Sequence, residues 1–310
     1  MQTTSTAGAG QHHLQPAHAA AVDNENDMQP VFHDGLAEVP MLTSERSPSG
    51  ATDRRSCGAT IVMTENRALR PSAYWTKAIA LNALFATRQN HSFVLVRPPE
   101  GDTKSALWCK VPAMLAELRR IGTNGCSWVA FFDSDAYVRE QSLGLDAMLA
   151  RHGVDEQTHF VIAREESRPS INFSTTFLLN TGVVFVRASE RGASLLQEWA
   201  GMRRSCTGRQ FHRQPEQKCL ERMLLNAESA RRHAAGDGAS GVMLAPMGLF
   251  NSPWGRYVRH VWGGPGSEMR PTIYDDELRV QGVWNDAQLD RLLARARRME
   301  VQGCGGQGRA

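Results

Sequence analysis

Trp128-Val129-Ala130-Phe131-Phe132-Asp133-Ser134-Asp135-Ala136-Tyr137-Val138 runs from a continuous apolar block into two carboxylates one residue apart. An uninterrupted apolar run of this length is what a central parallel strand looks like, because helices cover both its faces and no solvent side demands alternation. Open α/β sheets bind their ligands at the carboxyl ends of such strands. Asp133 and Asp135, at i and i+2 of an extended segment, can point to one side and share a divalent cation between hard oxygen donors. Taken alone, the same pattern also describes a strand followed by an acidic turn, so the surrounding chain has to decide.

Upstream, Ala59-Thr60-Ile61-Val62-Met63-Thr64 reads as a first strand, being short, apolar and β-branched. A helix follows from Pro71 and Ser72, with Trp75, Ile79, Ala83 and Leu84 on one stripe. Ser92-Phe93-Val94-Leu95-Val96 is the second strand, closed by Pro98 and Pro99. Strand, helix, strand is the opening of a right-handed βαβ unit. One helix is expected from Ser105 to Ile121, stopped by Gly122, and it delivers the chain into the acidic strand.

Downstream, a short helix over Leu145 to His152 precedes a strand at His159 to Ala163. Phe177 to Arg187 is apolar on both sides of an Asn180-Thr181-Gly182 interruption, and a glycine there marks a bulge or a close approach. Helices are expected over Ala193 to Met202 and from Glu216 onward. Strands are expected at Val242 to Ala245 and Tyr257 to Gly264, with Phe250 to Trp254 a loop between them. Asp275 and Asp276 fall in a polar segment facing solvent, and Asp286 caps a last amphipathic helix.

The 310 residues are 41% hydrophobic and 22% charged, enough to bury one large core or two modest ones. A net charge of +3, with scattered arginines and no basic stretch studded with aromatics, argues against a nucleic-acid partner. No window approaches the roughly 18 consecutive apolar residues of a membrane span, and no signal-peptide h-region opens the chain. The 6 cysteines form no C-x-x-C pair and read mostly as core thiols; Cys206 and Cys219 flank one loop, a spacing that leaves a bridge open. Residues 1–55 are rich in Ala, Gln, His, Ser, Thr and Pro and read as a disordered tail, in which His12, His13, His18 and His33 are solvated side chains or a metal tract. The folded domain spans 56–302, and 303–310 is a loose C-terminus.

Five elements then recur in order: Trp108-Cys109-Lys110-Val111-Pro112 opening a helix, Asp133-Ser134-Asp135 ending a strand, Asn180-Thr181-Gly182-Val183, Glu216-Gln217 opening a helix, and Phe250-Asn251 followed by His260. In that order and spacing the chain resembles glycosyltransferase family 34, which includes fungal α-galactosyltransferases and plant xyloglucan α-xylosyltransferases. The match runs from about Cys57 to Gly264. The resemblance implies a GT-A fold: an α/β, single Rossmann-like domain with a mostly parallel central sheet flanked by helices. It implies a UDP-sugar donor, a glycan acceptor, retention of configuration and a Golgi lumen setting in polysaccharide biosynthesis; without the family the chain would read as cytoplasmic.

It further implies that Asp133, Asp135 and His260 hold the cation on the donor's diphosphate. Lys110, Asn180 and Gln217 line the sugar and phosphate pocket, Ser134 binds the donor together with Lys110, Asp133 and Asp135, and Glu216, Gln217 and Asn180 are the catalytic residues. The departures are Glu216 where the family has aspartate, Gly264 where it has cysteine, and a missing lysine near Pro265.

Chemistry agrees with parts of this. A bridging cation and the Lys110 ammonium stabilise a diphosphate leaving group as charge develops, and Glu216 or Gln217 meets oxocarbenium character at the sugar. A nitrogen ligand beside two carboxylates suits Mn2+ better than Mg2+. Two other classes fit less of the chain: a non-catalytic nucleotide-sugar or glycan-binding module, and a haloacid-dehalogenase-type phosphatase with Asp133 as nucleophile. In the phosphatase the acidic strand comes first, whereas here it is third and followed by Tyr137.

Overall fold

The computed structural model describes residues 58–99, 103–123, 125, 127–165, 179–206, 214–233, 241–262 and 270–304. The tail, its histidines, Cys57, Cys126, Gly263 to Pro265 and most of the C-terminus after Gly303 lie outside those residues.

The acidic stretch supplies β3 (Trp128–Phe132), buried at every position. It lies parallel to β1 (Ala59–Thr64), which pairs parallel with β2 (Ser92–Arg97) on its other side. A final strand, β9 (Glu300–Gln302), adds in parallel to β2. On the far side of β3 runs β6 (Leu179–Arg187), antiparallel, and then β5 (Phe160–Arg164) and β7 (Val242–Ala245). The seven-stranded order is β7-β5-β6-β3-β1-β2-β9. Only β6 runs against the rest, so the expected mostly parallel α/β sheet is what forms.

Helices cover both faces, which is why β1, β3 and β6 show no alternation of burial. On one face α1 (Tyr74–Arg88) packs with α8 (Arg270–Val280) and α9 (Asp286–Arg298) over Ile61, Phe132 and Phe185. On the other, α3 (Lys110–Ile121), α5 (Glu190–Gly201) and α6 (Pro215–His233) close over Val62, Phe131 and Val184.

Several expectations are corrected. The single helix from Ser105 to Ile121 is two, α2 (Thr103–Trp108) and α3, with Cys109 as the joint. Pro112 explains the break: without an N–H it is tolerated only in a first turn. Asp275 and Asp276 lie on α8 and both reach solvent, Asp276 more than Asp275, but the segment around them is not wholly polar surface. There Tyr274 is fully buried and Asp275 pairs with the nearly buried Lys77. Asn285, not Asp286, caps α9, in a reciprocal capping box with Gln288. Met247 to Phe250 form a short helix, α7, and the strand expected over Tyr257 to Gly264 shrinks to β8 (Val258–His260).

The reading of the cysteines as mostly core thiols also fails. Cys109 bridges to Cys304 and Cys206 to Cys219, and no free cysteine remains among the described residues. The first bridge ties the α2–α3 joint to the end of β9. The second pins Cys219 of α6 to Cys206, just beyond the turn Met202–Arg204 that follows α5.

Candidate active site

The main sheet stops at Phe132. Ser134 and Asp135 form a turn, closed where Ala136 N donates to Asp133 O at 2.9 Å and anchored where Asp133 N donates to Gly182 O at 2.7 Å, and the chain re-enters extended structure as β4 (Ala136–Val138). β4 pairs antiparallel with β8 in a separate two-stranded ribbon, with Ala136 opposite His260. This register places His260 beside Asp135 although 125 residues separate them in the chain, and His260 Nε2 lies 2.9 Å from Asp135 Oδ1. Ligand atoms of Asp133, Asp135 and His260 all fall within 4.8 Å of one another. Two carboxylates and an imbedded imidazole are a donor set suited to a divalent cation of the Mn2+ type.

A relay of polar groups orients the imidazole. His260 Nδ1 meets Asn251 Oδ1 at 2.5 Å, and Asn251 Nδ2 donates to Asn180 O at 3.2 Å. With its other nitrogen engaged in this way, the ring presents Nε2 to Asp135, the arrangement expected of an oriented metal-ligating histidine. Gly182 makes room: a Cβ there would sit 2.0 Å from Cε1 of the ring. The glycine in β6 therefore marks a close approach by His260. The register shift in the β5–β6 pair falls nearby, between Ile162 and Ala163, which itself pairs with Asn180. Asn180 Oδ1 accepts from Gly182 N at 2.9 Å, so this side chain braces the backbone around that approach.

Lys110, at the start of α3, is 2% exposed and points under the acidic turn. Its Nζ lies 3.2 Å from Asp133 Oδ1 and 3.3 Å from Glu216 Oε1. It also donates to the carbonyl and hydroxyl oxygens of Thr181, each at 3.3 Å. Burial alone would lower the ammonium's pKa, but the Asp133 and Glu216 carboxylates outweigh it and the net shift is upward, so Lys110 stays charged.

Glu216 and Gln217, each 2% exposed, open α6 directly behind this cation. Trp199 Nε1 donates to Glu216 O at 2.8 Å, and Gln217 Oε1 accepts from Thr181 N at 3.0 Å. Glu216 Oε2 and Gln217 Nε2 are buried with no hydrogen-bond partner among the described residues. Buried polar atoms are rarely left so.

A cavity of about 370 Å³ opens beside Lys110, with Glu216 and Gln217 buried behind the lysine and outside the cavity lining. It is lined by Lys110, Asp133, Ser134 and Asp135 and by Glu65, Arg67 and Tyr74. The last three were missed in the sequence. Arg67 pairs with the buried Glu65 at 2.6 Å, donates to Ser134 Oγ at 2.9 Å and lies 4.0 Å over the Trp75 ring. The position of Glu65-Asn66-Arg67 at the carboxyl end of β1 was the available signal, since ligands gather at those ends. Arg270 and Tyr274 were missed as well. Tyr274 donates its hydroxyl to Asp135 O at 2.7 Å and Arg270 Nη2 reaches Asp135 Oδ2 at 3.3 Å. Burial alone would raise the Asp135 pKa; His260 and then Arg270 reverse this and hold it below the usual carboxylate range. For His260, burial would lower the pKa and Asp135 reverses it, with a net rise.

No family model and no curated protein matches this sequence. Solved structures do resemble the fold. A glycosyltransferase involved in the glycosylation of the major capsid of PBCV-1 superposes with a TM-score of 0.50 at 14% identity, covering 70% of this chain and 98% of that one. Mouse xyloside xylosyltransferase 1 gives 0.35 at 9% identity, covering 66% and 96%. The galactosyltransferase LgtC gives 0.29 at 12% identity, covering 76% and 95%. At such identities the likeness is one of architecture, and the architecture is the GT-A type: a mostly parallel sheet flanked by helices.

Proposed function

We propose that this chain is a divalent-cation-dependent glycosyltransferase related to family 34. In this reading it moves a hexose or pentose from a nucleotide sugar of the UDP-galactose or UDP-xylose type to a glycan acceptor, with retention. The observation that carries the proposal is the convergence of Asp133, Asp135 and His260 beside a cavity that Asp133, Asp135 and the buried Lys110 line. Asp133, Asp135 and His260 would hold the cation, which supplies charge neutralisation to a departing diphosphate. Lys110 would sit beside the same leaving group, its ammonium kept protonated by two carboxylates. Glu216 has one oxygen on Lys110 and the other unpaired, which suits it to meet positive charge at the sugar in the transition state. Gln217, tied through Oε1 to Thr181, keeps its amide nitrogen for the sugar. Asn180 acts through Gly182 and Asn251, setting the place of His260.

In the described residues no helix is long and apolar enough to cross a membrane. The bridges Cys109–Cys304 and Cys206–Cys219 favour an oxidising compartment, and with it the Golgi-type setting over the cytoplasm.

A thermal-shift panel of UDP- and GDP-sugars, with and without Mn2+, tests the reading, since a ligand of the native state stabilises it by mass action. One cognate donor should raise Tm only with the cation, and Asp135→Asn should abolish that rise while the unliganded chain still folds, at a Tm lowered by the loss of the pairs with His260 and Arg270. Donor binding with neither transfer nor hydrolysis would favour the non-catalytic module. Cation-independent binding, or an unchanged response in Asp135→Asn, would sink the metal assignment.

A further inference from the structure

Helix α8 begins with a cation where a helix disfavours one. The first turn carries the positive end of the macrodipole, and α8 has no acid there, yet its first residue is Arg270. The side chain is only 13% exposed and packs against two residues that line the cavity, lying 4.8 Å over the Tyr74 ring and 3.3 Å from Asp135 Oδ2. One turn later Tyr274 binds the carbonyl of the same aspartate, so α8 is registered to Asp135 at two points. The Nε of Arg270 is buried with no hydrogen-bond partner among the described residues. A guanidinium has five donors in a planar fork matched to phosphate, and Asp135 engages one edge of it at a single contact.

Asp135 has two side-chain oxygens and both are claimed: Oδ1 by His260, Oδ2 by Arg270. A divalent cation joining Asp133, Asp135 and His260 would arrive beside two positive groups, Lys110 and Arg270, with Arg270 on an oxygen that a second carboxylate contact would need. A diphosphate changes that balance. Its oxygens offer the guanidinium a bidentate, more highly charged partner than Asp135 does, which frees Oδ2 and neutralises the local positive charge.

We propose that Arg270 couples the two ligands of this site: it holds Asp135 Oδ2 until a nucleotide diphosphate takes the guanidinium, so that cation and diphosphate each strengthen the other's binding. The inference rests on the transferase reading for its ligand class. Coupling of this kind is reciprocal by thermodynamic necessity. Arg270 is thus a binding and positioning residue of the diphosphate, supplied by an element that the sequence does not mark.

Calorimetry with Mn2+ alone, UDP alone and UDP at saturating Mn2+ tests it on the full chain, for wild type, Arg270→Gln and Arg270→Lys. Wild type should bind UDP at least tenfold tighter with Mn2+ than without. Arg270→Gln should bind Mn2+ alone at least as tightly as wild type, bind UDP at saturating Mn2+ at least tenfold more weakly, and lose most of the mutual enhancement. Arg270→Lys keeps the charge without the fork and should fall between them. UDP affinity within twofold of wild type in Arg270→Gln would overturn the proposal. So would loss of binding of Mn2+ alone, which would make Arg270 merely a brace for Asp135. If Arg270→Gln does not fold, wild-type coupling in Arg270→Lys would overturn it equally. Failure of the wild-type chain to bind UDP, GDP or inorganic pyrophosphate with any divalent cation would overturn the transferase reading along with it; normal wild-type binding with unaltered variants overturns the coupling alone.

Discussion

Gly182 and His260 touch across the site so closely that a Cβ on the glycine would lie 2.0 Å from Cε1 and 2.6 Å from Nδ1 of the imidazole. The glycine sits within β6, its carbonyl accepting from Asp133 N, and the ring is held on its other side by Asn251 and Asp135. Neither can yield without disturbing the candidate cation site. Gly182→Ala should therefore push the ring off Asp135 and weaken Mn2+ binding at least tenfold. Calorimetry checks this, and cation affinity within twofold of wild type would show that the ring can move without cost.

Lys110 ties Asp133 and Glu216 together in a nearly water-free place. Removing the ammonium alone, as in Lys110→Met, leaves a buried carboxylate uncompensated, a change worth about 3–5 kcal/mol of stability. The double variant Lys110→Met/Glu216→Gln should recover much of that loss while, on the proposed function, remaining inactive, because the ammonium that would sit beside the leaving group is still absent. Urea unfolding of the two variants compares them. Equal destabilisation in both would mean that the Lys110–Glu216 pair carries little of the energy.

His260 titrates against the cation. Its folded pKa lies above the unperturbed value because Asp135 favours the imidazolium, and a metal ligand must be neutral. A raised pKa means protons compete at and above pH ~6.5, so Mn2+ affinity should climb as pH rises through that region and binding should release a proton. The same sign appears in the cation-free protein: the His260–Asp135 contribution to stability is complete below the unfolded pKa and fades as pH rises through the folded one. Mn2+ titrations at pH 6, 7 and 8 in two buffers of different ionisation enthalpy measure it; pH-independent affinity with no proton release would exclude His260 from the ligand set.

On the proposed function, Glu216→Gln should lower kcat more than it raises the KM for donor, since the positive charge that Glu216 would meet exists mainly in the transition state. The retaining path proposed here lets the departing phosphate oxygen take the acceptor's proton and needs no separate base. Proton NMR of the first-formed product reads the linkage. A β-anomer from an α-linked donor would rule the path out, as would a Glu216→Gln variant with unchanged kcat.

The central strand, the parallel pairing of β1, β2 and β3 and the helical cover were legible in the sequence, because a strand buried on both faces must be apolar throughout and needs no partner to announce it. The acidic turn was legible too, since the change from Phe132 to Asp133 is local. What sequence could not decide was company. Asp135 and His260 meet only because β4 and β8 pair in register, and Lys110 is a surface-type residue until α3, β6 and α6 close around it. The Cys109–Cys304 bridge spans 195 residues, and no spacing rule reaches that far. Arg270 and Tyr274 sit in a segment of ordinary polar composition, and their role comes from where the packing of α8 on α1 sets them down. Local propensity is written in neighbouring residues, whereas a site built from many separate elements is written in the tertiary contacts that bring those elements to one edge of the sheet.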